Sequence, residues 1–138
     1  MPTPSTPLPP GSLVYRAIRS KGWKSGDNAQ IAAFFLKIDR EDKPDEEELS
    51  VLYQVNCEEG VRCIADANRC FGAFALRVDE IRKAGLEVIY SHDEERPYHA
   101  SILNVPKNKD GEEDRAIEIA DFLATEARID HHANWKKR

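Results

Sequence analysis

The stretch 86-LEVIYSHDEERPYHASILNV-105 decides the fold, because two apolar segments in it are separated by a short polar connection. Leu86–Tyr90 and Tyr98–Val105 are rich in β-branched and aromatic residues, which favour strands. The connection between them is polar, with three acids and an arginine. The pattern predicts two strands joined by a polar tip, and reactive side chains at such a tip are well placed to form a site.

The rest of the chain predicts more strands and helices around this pair. Apolar or alternating segments predict four further strands, at Leu13–Ile18, Ala33–Ile38, Leu49–Val55 and Cys70–Val78. Helices are predicted at residues 57–68, 80–84 and 112–129. The fold class expected from this order is α+β, a single domain with a mixed or mostly antiparallel sheet of about five to six strands. Two shorter helices and a long C-terminal helix complete it.

Three regions are expected along the chain. Residues 1–12 contain five of the eight prolines and predict a flexible N-terminal segment with little to bury. Residues 13–129 form the domain, and residues 130–138 are a polar C-terminal tail.

Composition limits the classes of function. The net charge is −5 over 138 residues, which argues against general nucleic-acid binding. No run of about 18 apolar residues occurs, which argues against a membrane span. The three cysteines, Cys57, Cys63 and Cys70, have no CxxC spacing and predict buried thiols in a reducing cytoplasm. No metal site and no cofactor are expected.

Arg16 is the sharpest single candidate for ligand binding. Strand alternation places it on one face with Val14 and Ile18, where a guanidinium must find a carboxylate, carbonyl groups or a bound anion. Two interpretations stay open: a clamp for a phosphate or carboxylate, and a structural arginine that pairs with an acid such as Asp39. Trp23, in a loop with two lysines, can stack a base or close over the edge of the core.

The histidines and serines of the strands are the other candidates. His99 shares a strand face with Ser101, where it can act as a general base or as a hydrogen-bonded structural residue. His92 lies in the polar tip and is expected to be solvated, although it is also a candidate for ligand binding. The candidate catalytic set is Arg16, Ser50 and His99, with no assigned reaction.

Ordered blocks of sequence carry a resemblance to a known group. The succession 13-LVYRAI-18, 33-AFFL-36, 49-LSV-51, 70-CFGAF-74, 84-AGLEVI-89 and 99-HASILNVP-106 resembles small bacterial proteins of unknown function over residues 13–129. That resemblance implies no activity.

A second resemblance concerns the first strand alone. Tyr15 and Arg16, followed by a glycine-containing loop, are similar to the start of RES-type toxins, which act on NAD through an arginine, a glutamate and a serine. Arg16 matches the arginine. The Gly-Arg-Trp-Asn segment and the glutamate-bearing block of those toxins are missing here.

The leading functional hypothesis is a small cytoplasmic binding or interaction module that acts with a protein partner or by self-association. It depends on the fact that no P-loop, GxGxxG, GxSxG or HExxH pattern occurs. The alternative is a small nucleotide- or NAD-using enzyme with a pocket around Arg16, Ser50 and His99.

Overall fold

The computed structural model describes residues 3–18, 21–26, 28–34, 48–53, 73–94, 97–106 and 111–130. The strands in these ranges are β1 Leu13–Ala17, β2 Lys24–Ser25, β3 Asn28–Ala29, β4 Leu49–Leu52, β5 Ala73–Arg77, β6 Glu87–Tyr90, β7 His99–Leu103 and β8 Arg128–Asp130. The α-helices are α1 Val78–Lys83 and α2 Glu113–Glu126, and 3₁₀ turns cover Lys21–Trp23 and Ile31–Phe34. None of the helices in the described part of the chain is long and apolar enough to span a bilayer.

The main sheet is antiparallel, in the order β6-β7-β4-β1-β5-β8, and β2 pairs with β3 in a separate small hairpin. β1 lies inside the sheet, where Tyr15 is opposite Leu52 of β4 on one side and Ala75 of β5 on the other. The architecture is α+β with a C-terminal helix, and the predicted fold class is confirmed.

Strand alternation divides the sheet into two faces. One face carries Val14, Val51 and Ile102, which belong to a single buried cluster together with Ile119 and Leu123 of α2. We call it the helix face. The residues of the opposite face, called the second face, follow from the strand register: Tyr15, Ser50, Leu52, Ile89, His99 and Ser101.

The long C-terminal helix is confirmed, but its predicted end is wrong. The helix stops at Glu126, because Ala127 is extended with ψ 141°. Residues Arg128–Asp130 then form β8, in which Ile129 is opposite Phe74 of β5. The backbone groups along the edge of β5 provide partners that a further helical turn would leave unused, so the chain turns back to the sheet.

The predicted strand Ala33–Ile38 is wrong in its described part. Ala33 and Phe34 belong to the 3₁₀ turn and are buried, and the Phe34 ring packs against Phe74 with 6.2 Å between centroids. A short apolar run is compatible with a strand or a buried turn, and periodicity alone does not separate them. Residues 35–38, the predicted helix at 57–68 and the three cysteines lie outside the described residues.

The N-terminal segment pairs with the edge of the sheet. Pro7 forms an antiparallel bridge with Ile89 of β6, and Leu8 has 2% of its surface exposed. The expectation of a segment with little to bury therefore does not extend to Leu8. Of the predicted polar tail, Asp130 belongs to β8 and the rest lies outside the described residues.

Candidate functional site

Four aromatic rings gather at one end of the helix face, where β6 ends and β7 begins. Tyr53 packs edge-to-face on Tyr90, Tyr98 and His92, with centroid distances of 4.9, 5.9 and 5.8 Å. Tyr90 and His92 also meet, at 5.9 Å. All four side chains are half-buried. We call this group the aromatic end.

Backbone and hydroxyl hydrogen bonds hold the central ring of the aromatic end. The Tyr53 hydroxyl donates to the carbonyl oxygen of Pro97 at 3.0 Å, and the Tyr53 N–H donates to the carbonyl oxygen of Tyr98 at 2.9 Å. Burial, with a smaller effect from the neighbouring Tyr90, raises the pKa of the Tyr53 hydroxyl above its ordinary value. The hydroxyl therefore stays protonated at neutral pH and acts as a hydrogen-bond donor.

His92, which is expected to be solvated in the polar tip, is half-buried. Its ring packs against Tyr53 and Tyr90, and its Nδ1 atom is buried without a hydrogen-bond partner among the described residues. Alternation explains the placement, since His92 is two residues beyond Tyr90 and continues the same face past the end of β6. The structure thus brings His92 into an aromatic cluster.

A chain of polar side chains crosses the second face beside the same tip. Ser91 Oγ lies 2.5 Å from His99 Nδ1 and 2.8 Å from Ser101 Oγ. His99 and Ser101 are buried, and Ser91 is half-buried. The chemistry available is that of a Ser–His pair whose proton position depends on the imidazole tautomer. His99 and Ser101 were predicted to share a face, and the structure links them through Ser91.

Arg16 acts on the helix face and holds two backbone segments together. Its Nε donates to the carbonyl oxygen of Ala33 at 3.0 Å, and its Nη1 donates to the carbonyl oxygen of Ser50 at 2.8 Å. The guanidinium carbon lies 5.1 Å from the centre of the Trp23 ring, within range of a cation–π contact. The two carbonyl groups and the ring provide the partners that a structural arginine requires. Trp23 in turn packs against the core cluster.

The predicted catalytic set does not converge. Ser50 is opposite Ser101 in the β4–β7 register, which places both on the second face with His99. Arg16 is opposite Phe74 and lies on the helix face. Arg16 contacts Ser50 through the backbone carbonyl oxygen, and the Ser50 side chain is on the other side of the sheet.

A polar groove of about 580 Å³ lies between the β2–β3 hairpin region and the end of α2. The residues that line it are Asn28, Ala29, Gln30, Ile31, Asp121, Ala124, Thr125, Ala127 and Arg128. None of the site residues predicted from the sequence is among them. Arg128 Nη1 is held there by the carbonyl oxygens of Thr125 and Ala127 at 2.8 and 3.0 Å.

Metal ligands do not gather in the part of the chain that the structure describes, where no group of three or more His, Cys, Asp and Glu side chains is placed to hold an ion. Comparisons with protein-family models, with curated proteins and with solved structures find no match to this chain. Neither of the two sequence resemblances therefore contributes to the interpretation below.

Sequence reasoning missed most of the aromatic end and the central member of the polar chain. Tyr53 and Tyr98 read as ordinary strand residues, and Ser91 reads as the first residue of a polar tip. A signal was present in the sequence: Tyr90, His92 and Tyr98 flank one short connection, and alternating positions on paired strands share a face. Tyr53 joins them through its backbone bond to Tyr98, which a single sequence does not reveal.

Proposed function

We propose that this protein is a small binding module that acts with a protein partner, and that the partner docks on the aromatic end. The observation that carries the proposal is the group of four half-buried aromatic rings at one end of the sheet. Tyrosine and other aromatic residues are enriched in protein interfaces, where a few of them contribute most of the binding energy.

The chemistry of the aromatic end supports this role. Each tyrosine offers a large apolar ring and a polar hydroxyl, so it gains contact area while it loses little side-chain freedom. The edge-to-face contacts around Tyr53 and its bond to Pro97 hold the rings in place before a partner arrives. A surface that is already ordered loses less entropy on binding.

The setting of this function is part of the proposal. We infer a cytoplasmic location, because an odd number of cysteines without CxxC spacing suits a reducing compartment. The net charge of −5 favours a protein partner over a nucleic acid.

Site-specific photo-crosslinking tests the proposal. A benzophenone amino acid in place of Tyr98 is expected to give one discrete protein adduct in cells of the host. The same group in place of Ile117, a residue of α2 that is 46% exposed, is the matched control and is expected to give none.

A truncation variant checks that the contact depends on the rings. Tyr90→Ala in the crosslinking chain is expected to weaken partner binding by roughly 30-fold, since truncation of a central aromatic contact costs about 2 kcal/mol or more. Adducts that are equally strong at Tyr98 and Ile117, or absent at both, would contradict the proposal. An adduct of twice the chain mass would replace the partner by a second copy.

A further inference from the structure

Residues 5–8 form an arm that lies antiparallel on the outer edge of β6. The Leu8 N–H donates to the carbonyl oxygen of Val88 at 3.0 Å, and the Tyr90 N–H donates to the carbonyl oxygen of Thr6 at 2.9 Å. The Ser5 N–H adds a bond to the carbonyl oxygen of Tyr90 at 2.7 Å. The arm thus satisfies backbone groups that an edge strand otherwise exposes.

Leu8 anchors the arm in the body of the protein. Its side chain belongs to the buried core cluster, and its carbonyl oxygen accepts a hydrogen bond from Arg82 Nη2 at 2.7 Å. Arg82 is itself held by Glu87, with 2.8 Å between Nε and Oε1. An extended segment is therefore bound by one continuous site, which we call the receiving site. It consists of the edge of β6, the part of the core that holds the Leu8 side chain (the Leu8 pocket) and Arg82.

A single turn connects the arm to β1 and determines that it folds back on its own chain. The Ser12 N–H donates to the carbonyl oxygen of Pro9 at 3.3 Å, and Gly11 has φ +81°. Pro10 and Gly11 at the two central positions fit a type II turn, which needs a positive φ at its third residue. A Cβ atom at Gly11 would meet nothing within 4 Å, so only backbone conformation opposes a larger residue there.

We propose that the edge of β6 is an interaction site for the arm of a second copy of this chain, so that two copies can exchange their arms. Every contact that the arm makes with β6, with Arg82 and with the Leu8 pocket can be made by the identical arm of a partner. Exchange therefore keeps these contacts and changes the turn at residues 9–12, with the bond that the Gly11 N–H donates to Asp79 Oδ1 at 3.1 Å, and the entropy of association. The turn is the element that favours the monomer.

A substitution in the turn tests the proposal without touching the core or the receiving site. Valine disfavours a positive φ, so Gly11→Val destabilises the turn and with it the monomer. An arm that is released to a second copy does not form this turn, so the exchanged dimer does not carry the penalty. The monomer–dimer equilibrium is expected to shift toward the dimer by about tenfold or more relative to the wild-type chain. Size-exclusion chromatography with light scattering over a range of concentrations measures it.

A matched control separates exchange from general strain. Gly111 has φ +86°, and a Cβ atom there would also meet nothing within 4 Å. Gly111 precedes α2 and is not part of the arm or its turn, so Gly111→Val is expected to leave the wild-type equilibrium unchanged. A dimer that forms equally in both variants would overturn the proposal.

A disulfide trap shows which chain supplies the arm. Pro7 and Ile89 are a non-hydrogen-bonded antiparallel pair, whose Cα atoms lie about 4.5 Å apart in such ladders, within the range that a disulfide spans. The double variant Pro7→Cys with Ile89→Cys is expected to form this disulfide within one chain. Adding Gly11→Val should raise the share of disulfides that join two chains at the same protein concentration. Peptide mapping identifies the disulfide, and the mass of the unreduced protein shows whether it joins one chain or two.

Two results of the trap would overturn arm exchange. One is an unchanged share of disulfides between two chains after Gly11→Val, since weakening the turn would then not transfer the arm to a second copy. The other is loss of the disulfide without a dimer, since the released arm would then not occupy a second copy.

Discussion

Ser91 is the residue on which the polar chain of the second face depends. Its hydroxyl contacts both His99 and Ser101, which are buried, and a buried polar group that loses its partner costs more than the bond itself contributes. Ser91 therefore connects the end of β6 to β7 through its side chain.

The first prediction concerns this residue. Ser91→Ala is expected to lower the free energy of unfolding by about 1–3 kcal/mol, because the buried Ser101 hydroxyl loses the partner shown here. Chemical denaturation followed by circular dichroism measures the change. Ser50→Ala, an exposed serine on the same face, is the control and should change stability by less than about 0.5 kcal/mol. Equal effects of the two variants would contradict the structural role of Ser91.

Residue-scale features were only partly readable from the sequence. The face that Arg16 shares with Val14 follows from alternation, and the need for carbonyl groups or an anion follows from its charge. Which partner it takes does not follow, because the carbonyl oxygens of Ala33 and Ser50 come from segments 17 and 34 residues away.

α2 shows how one element joins the sheet to the rest of the core. Its buried residues Ala116, Ile119, Ala120 and Leu123 follow the spacing of a helix with one apolar side. Leu123 is completely buried, whereas Ile117 points away from the core and is 46% exposed. The two residues provide a matched pair on one helix.

The second prediction uses this pair. Leu123→Ala is expected to lower the free energy of unfolding by about 2–5 kcal/mol, because it removes buried apolar surface and leaves a cavity. Ile117→Ala should cost less than about 0.5 kcal/mol. Thermal and chemical denaturation check both variants, and an Ile117 effect as large as that of Leu123 would mean that α2 is rotated from its described position.

α1 carries the cation that joins three elements. Arg82 contacts Glu87 at the start of β6 and the carbonyl oxygen of Leu8 in the arm. Burial raises the pKa of the Glu87 carboxyl, but the hydrogen bonds from the Val88 N–H and Arg82 and the charge of Arg82 outweigh it and lower the pKa below its ordinary value of 4.5. Glu87 thus favours the folded state as an ionised group.

The third prediction follows from that direction. A lowered pKa stabilises the folded state above pH 4.5, and this stability is lost as the pH falls through the folded pKa of Glu87. Arg82→Met is expected to cost about 1–3 kcal/mol at neutral pH and to flatten the loss of stability in acid. Denaturation at pH 7 and at pH 3–4 measures both effects.

A neighbouring cation provides the control for Arg82. Among the described residues, Lys83 makes only an exposed i,i+3 pair with Glu80 at 3.2 Å, so Lys83→Met should leave the stability and its acid dependence nearly unchanged. If both variants flatten the acid limb equally, general charge rather than the Arg82–Glu87 contact is responsible.

The elements divide clearly into those that the sequence predicts and those that it does not. The sequence predicts β4 and α2 because local pattern and burial agree in both. Leu49 and Val51 alternate with polar or less buried residues in β4, and α2 carries an apolar stripe. β8 was missed because Ile129 continues the helical spacing of α2, and only the open edge of β5 distinguishes the two outcomes. Long-range pairing determined this boundary.

At the scale of the whole molecule, the sheet is assembled from distant parts of the chain. Within the described residues, its two outermost partners are the arm near the N-terminus and β8 near the C-terminus. The arm is joined to the body by a few backbone bonds and one buried side chain, so it is the part of this assembly that should open with the smallest free energy.

The fourth prediction concerns this opening. The amides of Leu8 and Tyr90, which bond across the arm and β6, are expected to exchange with deuterium at one shared rate. That rate should be slower than in an unfolded peptide and faster than for the amides of β1 inside the sheet. Residue-resolved exchange by NMR measures it, and an unprotected Leu8 beside a protected Tyr90 would contradict a docked arm.

The arm was missed in the sequence because proline-rich segments usually read as flexible, and nothing local marks Leu8 as buried. The aromatic end could be predicted only in part from the sequence. The stretch that contains Tyr90, His92 and Tyr98 is recognisable as a pair of strands with a polar tip. Its convergence on Tyr53 depends on tertiary pairing. Fold class thus follows from local patterns here, whereas the sites depend on which segments meet.

The prolines of the arm have one more consequence, on the side that faces away from β6. Pro7 has no N–H to offer there, and the carbonyl oxygen of Pro9 is already taken by Ser12. A strand of another molecule that approached this side would meet no N–H donor at Pro7 and a carbonyl oxygen at Pro9 that already accepts a hydrogen bond. The docked arm therefore disfavours the edge-to-edge addition of further strands at this border of the sheet.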